Sequence, residues 1–220
     1  MYLGLVPEPT CIPNVMATSE LSQSYLKAIQ NRRTIYSLSD KPILPDAQIV
    51  QLIQQAVREA PSSFNVQSSR VVVLLGGQHD HYWNRIVPTS LRISSTDEAV
   101  ETAKPKLHGF QSAIGTILFF EDENLIKSQQ ENYPRYAPNF PTWSKHASGM
   151  AQIYVWTLLE TEGYGVNLQH YGNLTEHALH TVYNLPESYK IQAEMVFGYP
   201  ESVAGKKDYM SDNERVIVFK

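Results

Sequence analysis

The sequence predicts an α+β fold in which a mixed central sheet is flanked by helices. Two continuous apolar runs, SRVVVLLGG from Ser69 and AIGTILFFED from Ala113, have the pattern of buried strands. Segments with apolar residues at helical spacing alternate with such runs along the chain. The last apolar run, ERVIVFK from Glu214, follows a basic loop without an intervening helix. We therefore expect it to be a terminal strand in a sheet that is not purely parallel.

Apolar periodicity predicts the first two helices. In ELSQSYLKAIQNRR, the side chains of Leu21, Tyr25 and Ile29 recur at helical spacing. Ser19, just before them, is a suitable N-cap. In PDAQIVQLIQQAVREAP the helix begins near Pro45, and the second proline of the segment ends it.

The rest of the chain is predicted to continue this alternation. The signal from His79 to His108 is mixed and mainly helical, and the prolines between Glu123 and Thr142 predict an irregular segment. Those prolines are Pro134, Pro138 and Pro141. SKHASGMAQIYVWTLLETEGYG is a predicted helix that Ser144 can cap and Gly163 can end. NLTEHALHTVYNL and IQAEMVFGYP follow as a short helix and a strand.

Length and composition limit the class of protein. The 220 residues suit a single domain, which we place at residues 19–220 after an extension of residues 1–18. The formal charge of −4 argues against nucleic-acid binding by the whole surface, and no apolar run reaches the ~20 residues of a membrane helix. Cys11 has no partner for an internal disulfide, and the first 20 residues contain no Lys or Arg, unlike a leader peptide. We expect a cytoplasmic protein, with the nucleus as an open alternative.

Motifs for several chemistries are absent, and the histidines are ambiguous. No GxxxxGK[ST] or GxSxG motif occurs, which removes the P-loop and hydrolase-elbow signatures. His79 and His81 flank Asp80, while His177 and His180 are three residues apart on a predicted helix. No carboxylate pattern accompanies them, so we interpret them as surface or capping histidines and expect no metal site. A metal-dependent hydrolase that uses them is an alternative.

Two basic clusters are candidates for an anion site. Arg32 and Arg33 end the first predicted helix, and Thr34 adds a hydroxyl group. Guanidinium groups suit a phosphate, although capping of the helix explains the arginines equally well. The C-terminal segment GKKDYMSDNER contains Lys207 and Arg215, for which a solvated loop is the alternative. Together with the hydroxyl- and amide-rich segment APSSFNVQSSR, the clusters suit a flat, phosphorylated cofactor.

These motifs, taken in order, resemble the FMN-dependent nitroreductase family. RRTIY, APSSFNVQSSRVVVL, GYGVNLQHY, EMVFGYP and the basic C-terminal segment cover the chain from about Ser19 to Lys220. The details FFED, NLQHY and FGYP are most similar to the small single-domain branch of fungal and bacterial oxidoreductases. The resemblance implies a nitroreductase-like α+β fold in which two subunits interlock as a homodimer, with FMN held in two equivalent pockets at their interface.

The resemblance also implies which residues contact the cofactor. The implied contacts to the phosphate and ribityl chain are Arg32, Arg33, Thr34, Lys207 and Arg215. The implied contacts to the flavin are Ser62, Ser63, Asn65 and Gln67, with the serines as candidates for contacts from the partner subunit. The implied contacts to the edge of the isoalloxazine ring are the backbones of Leu168, Gln169 and His170.

Two positions depart from the family pattern, and two roles stay open. Tyr36 stands where, by the resemblance, many relatives carry a Lys or Arg beside the flavin pyrimidine, a cation that would stabilise negative charge near N1. Asn213 stands where a second basic residue is common. His170 either donates a proton or orients a substrate, or it is a structural histidine. The aromatic tract from Asn132 to Trp143 is either a wall or lid over the flavin or a separate hydrophobic cluster.

The function implied by the resemblance is that of an oxidoreductase. NADH or NADPH delivers hydride to N5 of FMN, and the reduced flavin then reduces a nitroaromatic, quinone or similar small electrophile, without a protein nucleophile. We expect no nucleic-acid or membrane partner. An FMN-binding redox sensor with little turnover is a second interpretation, and the metal-dependent hydrolase is a third.

Overall fold

The computed structural model describes residues 19–219, which are built around one five-stranded sheet. The expected extension, residues 1–18 with Cys11, lies outside the described residues. The strands are β1 (Leu38–Ser39), β2 (Ser69–Leu75), β3 (Gly115–Asp122), β4 (Gly165–Gln169) and β5 (Tyr189–Pro200). They follow the path β1-β5-β3-β2, with β4 also pairing with β5, and these pairings are antiparallel. A parallel bridge joins Thr34 to Val166 beside β4.

Helices connect and cover the strands. Their bounds are α1 (Glu20–Asn31), α2 (Asp46–Glu59), α3 (Gly77–His81), a π-helical turn (Tyr82–Ile86), α4 (Val87–Ser94), α5 (Asp97–Gln111), α6 (Glu123–Asn132), α7 (Phe140–Thr161), α8 (Gly172–Tyr183) and α9 (Asp212–Arg215). Short 3-10 turns span Ser63–Asn65 and Pro134–Asn139. The described part of the chain contains no helix that is long and apolar enough to cross a membrane.

The core lies on both faces of β3 and β5. Leu118 and Phe120 pack into one hydrophobic cluster, and Ile117 and Phe119 pack into another. Successive side chains of a strand point to opposite faces, so the two clusters lie on opposite sides of the sheet. All eight residues of β3 are buried. The continuous apolar run that predicted a buried strand is explained by this double coverage.

Helix α1 begins as the sequence predicts but does not bury its apolar face. The hydroxyl oxygen of Ser19 accepts a hydrogen bond from the Ser22 backbone N–H at 3.1 Å, which confirms the predicted N-cap. No residue of α1 is buried, and Leu21, Tyr25 and Ile29 expose 81%, 59% and 42% of their surface. An amphipathic face of this kind requires cover that residues 19–219 do not supply.

The segment from Glu123 to Thr142 is more regular than the sequence indicates. Residues Glu123–Asn132 form α6, which begins where the Asp122 carboxylate accepts from the Asn124 backbone N–H at 3.1 Å. The prolines follow this helix and therefore do not interrupt it. Helix α7 begins at Phe140, four residues before the expected cap, because Pro141 suits the first helical turn. Ser144 is buried within the helix and donates to the Pro141 carbonyl oxygen at 3.0 Å.

The expected terminal strand is also absent from the sheet. Residues 216–219 follow α9 without pairing to a described strand. Val216, Ile217 and Phe219 expose 63%, 62% and 56% of their surface. The apolar pattern of the segment is real, but a strand forms only against an edge, and this segment meets none within the described part of the chain.

Candidate functional site

The segment from Arg32 to Ile35 connects α1 to the sheet and lies directly beside β4. The Ile35 backbone N–H donates to the Val166 carbonyl oxygen at 2.9 Å. The buried Asn167 side-chain amide donates to the Ile35 carbonyl oxygen, also at 2.9 Å. The segment therefore behaves as a short edge strand, which fixes the backbone that presents the two arginines and the exposed Thr34.

A carboxylate on α7 holds the arginine pair. Glu160 accepts from the Arg33 backbone N–H, with both of its oxygens at 2.9 Å. It also accepts from Trp156 Nε1 at 3.2 Å, and the Arg32 guanidinium lies 4.6 Å from the centroid of the Trp156 ring. Burial raises the pKa of Glu160, although these donors and the nearby positive charges of Arg32 and Arg33 oppose the rise. Sequence reasoning missed Glu160, because nothing in TLLETEG distinguishes it from a surface acid.

The basic C-terminal loop meets the same place. Arg33 donates from Nη2 to the Gly205 carbonyl oxygen at 2.6 Å, which brings the start of the loop against the end of α1. The Lys207 ammonium lies 4.9 Å from the centroid of the Tyr209 ring. Arg215 is exposed at the end of α9, and its guanidinium makes no hydrogen bond or ion pair with another residue in 19–219. The fold thus joins Arg33 to the loop that carries Lys207, while no hydrogen bond joins the Arg215 guanidinium to either residue.

The loop from Ser62 to Gln67 has an unusual backbone. Phe64, Asn65 and Gln67 have φ values of 54°, 52° and 51°, in the left-handed region that favours glycine. The Ser62 hydroxyl oxygen accepts from the Gln67 backbone N–H at 2.9 Å, which closes the loop on itself. Three such residues within four positions cost on the order of 1 kcal/mol each or more, so surrounding contacts must hold the loop in this shape.

An aromatic cluster supplies those contacts. The Phe64 ring lies with its centroid 4.6 Å from that of Tyr133 and 5.5 Å from that of Phe140. The Tyr136 and Trp143 rings are 5.8 Å and 6.1 Å away. The tract from Asn132 to Trp143 is therefore a hydrophobic cluster that packs on the polar loop. The aromatic composition of the tract was visible in the sequence, but its contact with Phe64 was not.

The residues at the end of β4 differ in exposure. Leu168 is half-buried, and the Gln169 side chain is buried and donates from Nε2 to Asn167 Oδ1 at 2.9 Å. His170 is exposed just after the strand, and Tyr36 exposes 59% of its surface. Gln169 therefore has a structural side chain, and its expected contact to a cofactor is limited to its backbone.

A buried acid on β5 also escaped the sequence reasoning. Glu194 is fully buried, and its carboxylate accepts from the Tyr171 backbone N–H at 2.9 Å and from the Tyr82 hydroxyl at 3.1 Å. Burial raises the pKa of Glu194 to about 7, although the two donors oppose the rise. The signal was a single acidic residue within the otherwise apolar AEMVFG of a predicted strand. Such a residue is expected to need buried partners.

Of the four histidines considered as metal ligands for a hydrolase, two are buried and make hydrogen bonds within the fold. The ring nitrogens of buried His79 lie 2.9 Å from Thr116 Oγ1 and 3.1 Å from the Gln111 carbonyl oxygen. His180 Nδ1 lies 3.3 Å from the Leu185 carbonyl oxygen. Within residues 19–219, no three His, Cys, Asp or Glu side chains are grouped as metal ligands. These contacts give His79 and His180 structural roles.

The predicted site residues thus form two groups. The first contains the arginine segment, β4 and the loop that carries Lys207, and it borders a groove of about 620 Å³ lined in part by Tyr25, Arg32 and Tyr154. The second contains the loop from Ser62 to Gln67, which lines a separate cavity of about 150 Å³. No hydrogen bond or ion pair joins the two groups in the described part of the chain.

This fold and site define a class of protein. It is an α+β protein with a five-stranded, largely antiparallel sheet and a basic helix end held beside β4. The chain belongs to the nitroreductase family, whose family model matches residues 29–199. This confirms the resemblance and the fold class inferred from the sequence motifs. It also places the chain among oxidoreductases.

Individual relatives match nearly the whole chain. The putative nitroreductase HBN1 of Saccharomyces cerevisiae is 34% identical over 198 residues, which are 88% of this chain and 97% of that protein. The nitroreductase FRM2 of the same yeast is 33% identical over 193 residues, covering 86% and 94%. The nitroreductase CinD of Lactococcus lactis, solved in complex with nicotinic acid, is 42% identical with a TM-score of 0.83, covering 89% of this chain and 100% of that one.

Proposed function

We propose that this protein is an FMN-dependent oxidoreductase that passes hydride from NADH or NADPH to nitroaromatic, quinone or similar electrophilic acceptors. The observation that carries the proposal is the anchored arginine pair. Glu160 and the Gly205 carbonyl hold Arg33, so the end of α1, β4 and the basic loop meet at one place. Guanidinium, hydroxyl and ammonium groups together suit a phosphate monoester, and membership of the nitroreductase family supports a flavin as the group that bears it.

The side chains present have the chemistry that FMN requires. In residues 19–219, the polar side chains of Thr34, Ser63, Asn65 and Arg215 have no hydrogen-bond partner. These donors and acceptors are free to bind a ligand. The left-handed loop that presents Ser63 and Asn65 is held in place at an energetic cost, which is common at ligand sites.

In the proposed complex, each group of residues has a separate task. Arg32, Arg33, Thr34, Lys207 and Arg215 bind the phosphate and the ribityl chain. The loop of Ser62, Ser63, Asn65 and Gln67 binds the polar edge of the flavin. The backbone from Leu168 to His170 lies along the ring, and the Tyr36 phenol stands near the pyrimidine in place of a cation. Bound FMN supplies the chemistry of accepting and donating hydride, while the protein provides position, polarity and access.

The proposal includes a homodimer, because no hydrogen bond or ion pair joins the two groups of site residues within residues 19–219. The exposed face of α1 and the groove of about 620 Å³ between α1, α2 and α7 offer an apolar surface to a second copy. The strand-like tail of Val216, Ile217 and Phe219 is exposed, and β2 is the end strand of the sheet path. We propose that the tail of one subunit pairs with the β2 edge of its partner, which satisfies both.

Structures of a relative support the choice of acceptors. CinD of Lactococcus lactis was solved with chloramphenicol and with 4-nitrophenol, both of which are nitroaromatic compounds. In this chain, the aromatic cluster of Phe64, Tyr133, Tyr136, Phe140 and Trp143 beside the polar loop offers flat surfaces of the kind on which aromatic rings stack. We propose that nitroaromatic acceptors use this surface.

The visible spectrum of the purified protein tests the function. The expected result is a yellow protein whose flavin bands disappear when NADH or NADPH is added without oxygen and return when a nitroaromatic compound is added. Flavin that neither nucleotide reduces would instead support the redox-sensor interpretation. A colourless protein that takes up no added FMN would contradict both the reductase and the sensor.

A further inference from the structure

A closed network of buried hydrogen bonds lies beneath the turn that follows β4. Glu194, Tyr82 and Thr175, which come from β5, the π-helical turn and α8, each have no exposed surface. The Tyr82 hydroxyl donates to Glu194 Oε1 at 3.1 Å, and it lies 3.3 Å from Thr175 Oγ1. The Thr175 hydroxyl in turn donates to the Tyr171 carbonyl oxygen at 3.2 Å. Because Glu194 Oε2 accepts from the Tyr171 N–H, the ring begins and ends on one residue.

This network lies directly beside β4, the strand that belongs to the candidate site. Gln169 is the register partner of Glu194 across the β4–β5 pair, and its side chain donates to Asn167. Asn167 donates to the Ile35 carbonyl oxygen beside the arginine pair. Buried hydrogen bonds therefore hold the backbone on both sides of β4. One is made at Ile35 beside the strand, and the other at Tyr171 just after it.

We propose that Glu194 is a positioning residue for the segment from Gln169 to Tyr171, whose geometry it changes when its carboxyl group gains or loses a proton. The inference rests on the proposed function only in assigning this segment to the edge of a flavin. The hydrogen-bond ring itself belongs to the protein without a ligand.

The ring can accommodate both protonation states of Glu194. When the carboxylate is ionised, it accepts from the Tyr82 hydroxyl and from the Tyr171 N–H. When it is protonated, its O–H can donate to Tyr82, the Tyr82 hydroxyl to Thr175, and the Thr175 hydroxyl to the Tyr171 carbonyl. The proton stays on Glu194 in the second arrangement. The hydrogen bond between Glu194 and Tyr82 reverses, and the Tyr82 hydroxyl, which no longer donates to the carboxylate, donates to Thr175 instead. The hydrogen bond to the Tyr171 N–H is weaker in that state, because a charged acceptor binds more strongly than a neutral one.

The groups around Glu194 leave its charge uncompensated. The titratable side chains that interact with it are the phenols of Tyr82 and Tyr171, and the Tyr183 phenol lies near Tyr82. The pKa of each phenol is raised by burial, so all three are neutral at physiological pH. On α8 and β5, Glu176 and Lys190 pair with each other, and His180 is bonded to a backbone carbonyl. Among residues 19–219, Glu194 makes no ion pair. Burial therefore raises the pKa of Glu194 to about 7, which puts the change of charge in the neutral range.

Hydrogen exchange of the FMN-free protein tests the proposal directly. After correction for the intrinsic pH dependence, we expect the Tyr171 amide to exchange about five- to tenfold faster below pH 7 than above it, because its acceptor loses its charge. Glu194→Gln keeps an acceptor oxygen but cannot titrate, so the step should disappear. Tyr82→Phe removes a donor to the ionised carboxylate, so the step should move to higher pH.

A second measurement connects the residue to the site. The dissociation constant of added FMN, measured from about pH 5.5 to about pH 8.5, should show a step in the wild type that Glu194→Gln lacks. A Tyr171 amide whose exchange is identical in the wild type and in Tyr82→Phe at every pH would overturn the proposal, even if Glu194→Gln failed to fold. If the wild type bound no FMN, the proposed function would fail, whereas the exchange experiment would still decide the role of Glu194.

Discussion

At the residue scale, Gly198 shows how closely the strands approach near the end of β5. A Cβ atom at this position would lie 2.7 Å from the Ser39 carbonyl oxygen and 3.1 Å from both Ala113 Cα and Ile114 N. All three are backbone atoms, so no side-chain rotation can relieve the contact. The glycine of FGYP is therefore needed for packing between β5, β1 and the chain before β3.

We expect Gly198→Ala to lower the free energy of unfolding by about 1–3 kcal/mol, as overpacking in a close-packed core does. Chemical denaturation of the FMN-free protein measures the change. Gly109→Ala is the matched control, because a Cβ there meets nothing within 4 Å and the position lies in α5. The control should be neutral or stabilising by about 0.5–1 kcal/mol. Equal losses in both variants would show that the close contact is not the cause.

The buried charge of Glu194 gives a prediction for stability against pH. Its pKa is raised from 4.5 to about 7 by burial, so between these values the native state holds a proton that the unfolded state releases. Raising the pH through this window therefore favours unfolding. Relative to Glu194→Gln, the wild type should lose about 3 kcal/mol from pH 4.5 to pH 7. Chemical denaturation at each pH measures the free energy of unfolding of both proteins. If this free energy changed equally with pH in the two proteins across the window, the prediction would be wrong.

Substitution of Arg215 tests whether this residue binds the phosphate of FMN. Its guanidinium has no partner in residues 19–219, so Arg215→Ala removes no described contact of the fold. We expect the dissociation constant of FMN to rise about tenfold, the loss of one charge-assisted hydrogen bond. Fluorescence titration of FMN measures it, and Arg92→Ala on the exposed side of α4 is the control. An unchanged constant would remove Arg215 from the site.

At the element scale, the loop from Ser62 to Gln67 and the start of α7 form one structural unit. The Phe64 ring touches four aromatic rings of that region while its backbone stays left-handed. The packing energy of the ring offsets the strain of the loop. Removing the ring should therefore release the loop and leave the sheet intact.

We expect Phe64→Ala to increase hydrogen exchange in residues 62–67 and to weaken FMN binding several-fold, with little effect on exchange in β3. Phe64→Leu, which retains an apolar side chain, should restore part of both. Ile93→Ala controls for the loss of an exposed apolar group, since Ile93 exposes 83% of its surface. If Phe64→Ala left exchange in the loop unchanged, the aromatic cluster would not be what holds it.

At the scale of the whole molecule, two apolar surfaces of the described chain are left uncovered by its own helices and strands. The face of α1 and the tail after α9 both expose large hydrophobic side chains. Both features are explained if a second copy covers them, and the same association would bring the serine loop of one subunit to the arginine pair of the other.

We predict that deletion of residues 216–220 yields a monomer that retains little FMN, because the tail no longer pairs with the partner's β2. Light scattering measures the mass, and the flavin absorbance of the purified protein measures retention. Ile93→Ser, which alters an equally exposed apolar residue on α4, should remain a dimer with bound FMN. An intact wild-type monomer that binds one FMN would refute the shared-site arrangement.

The sequence by itself determined the local structure and the family. The double-faced apolar run of β3, the periodicity of α1 and α2, and the ordered motifs from RRTIY to FGYP are local patterns that each need only a short window of residues. Where the prediction was wrong, as at α6 and at the cap of α7, the prolines were given too much weight relative to the helix formers before them.

The tertiary structure alone decided which residues meet. The bond from Glu160 to Arg33 spans 127 residues, and that from Tyr82 to Glu194 spans 112, so no local pattern could reveal either one. The sequence also could not predict that the tail after α9 is unpaired among the described residues, because an apolar run predicts a strand but not the strand with which it pairs. Long-range contacts depend on how the sheet and helices close around one another, and that closure turns separate motifs into a site.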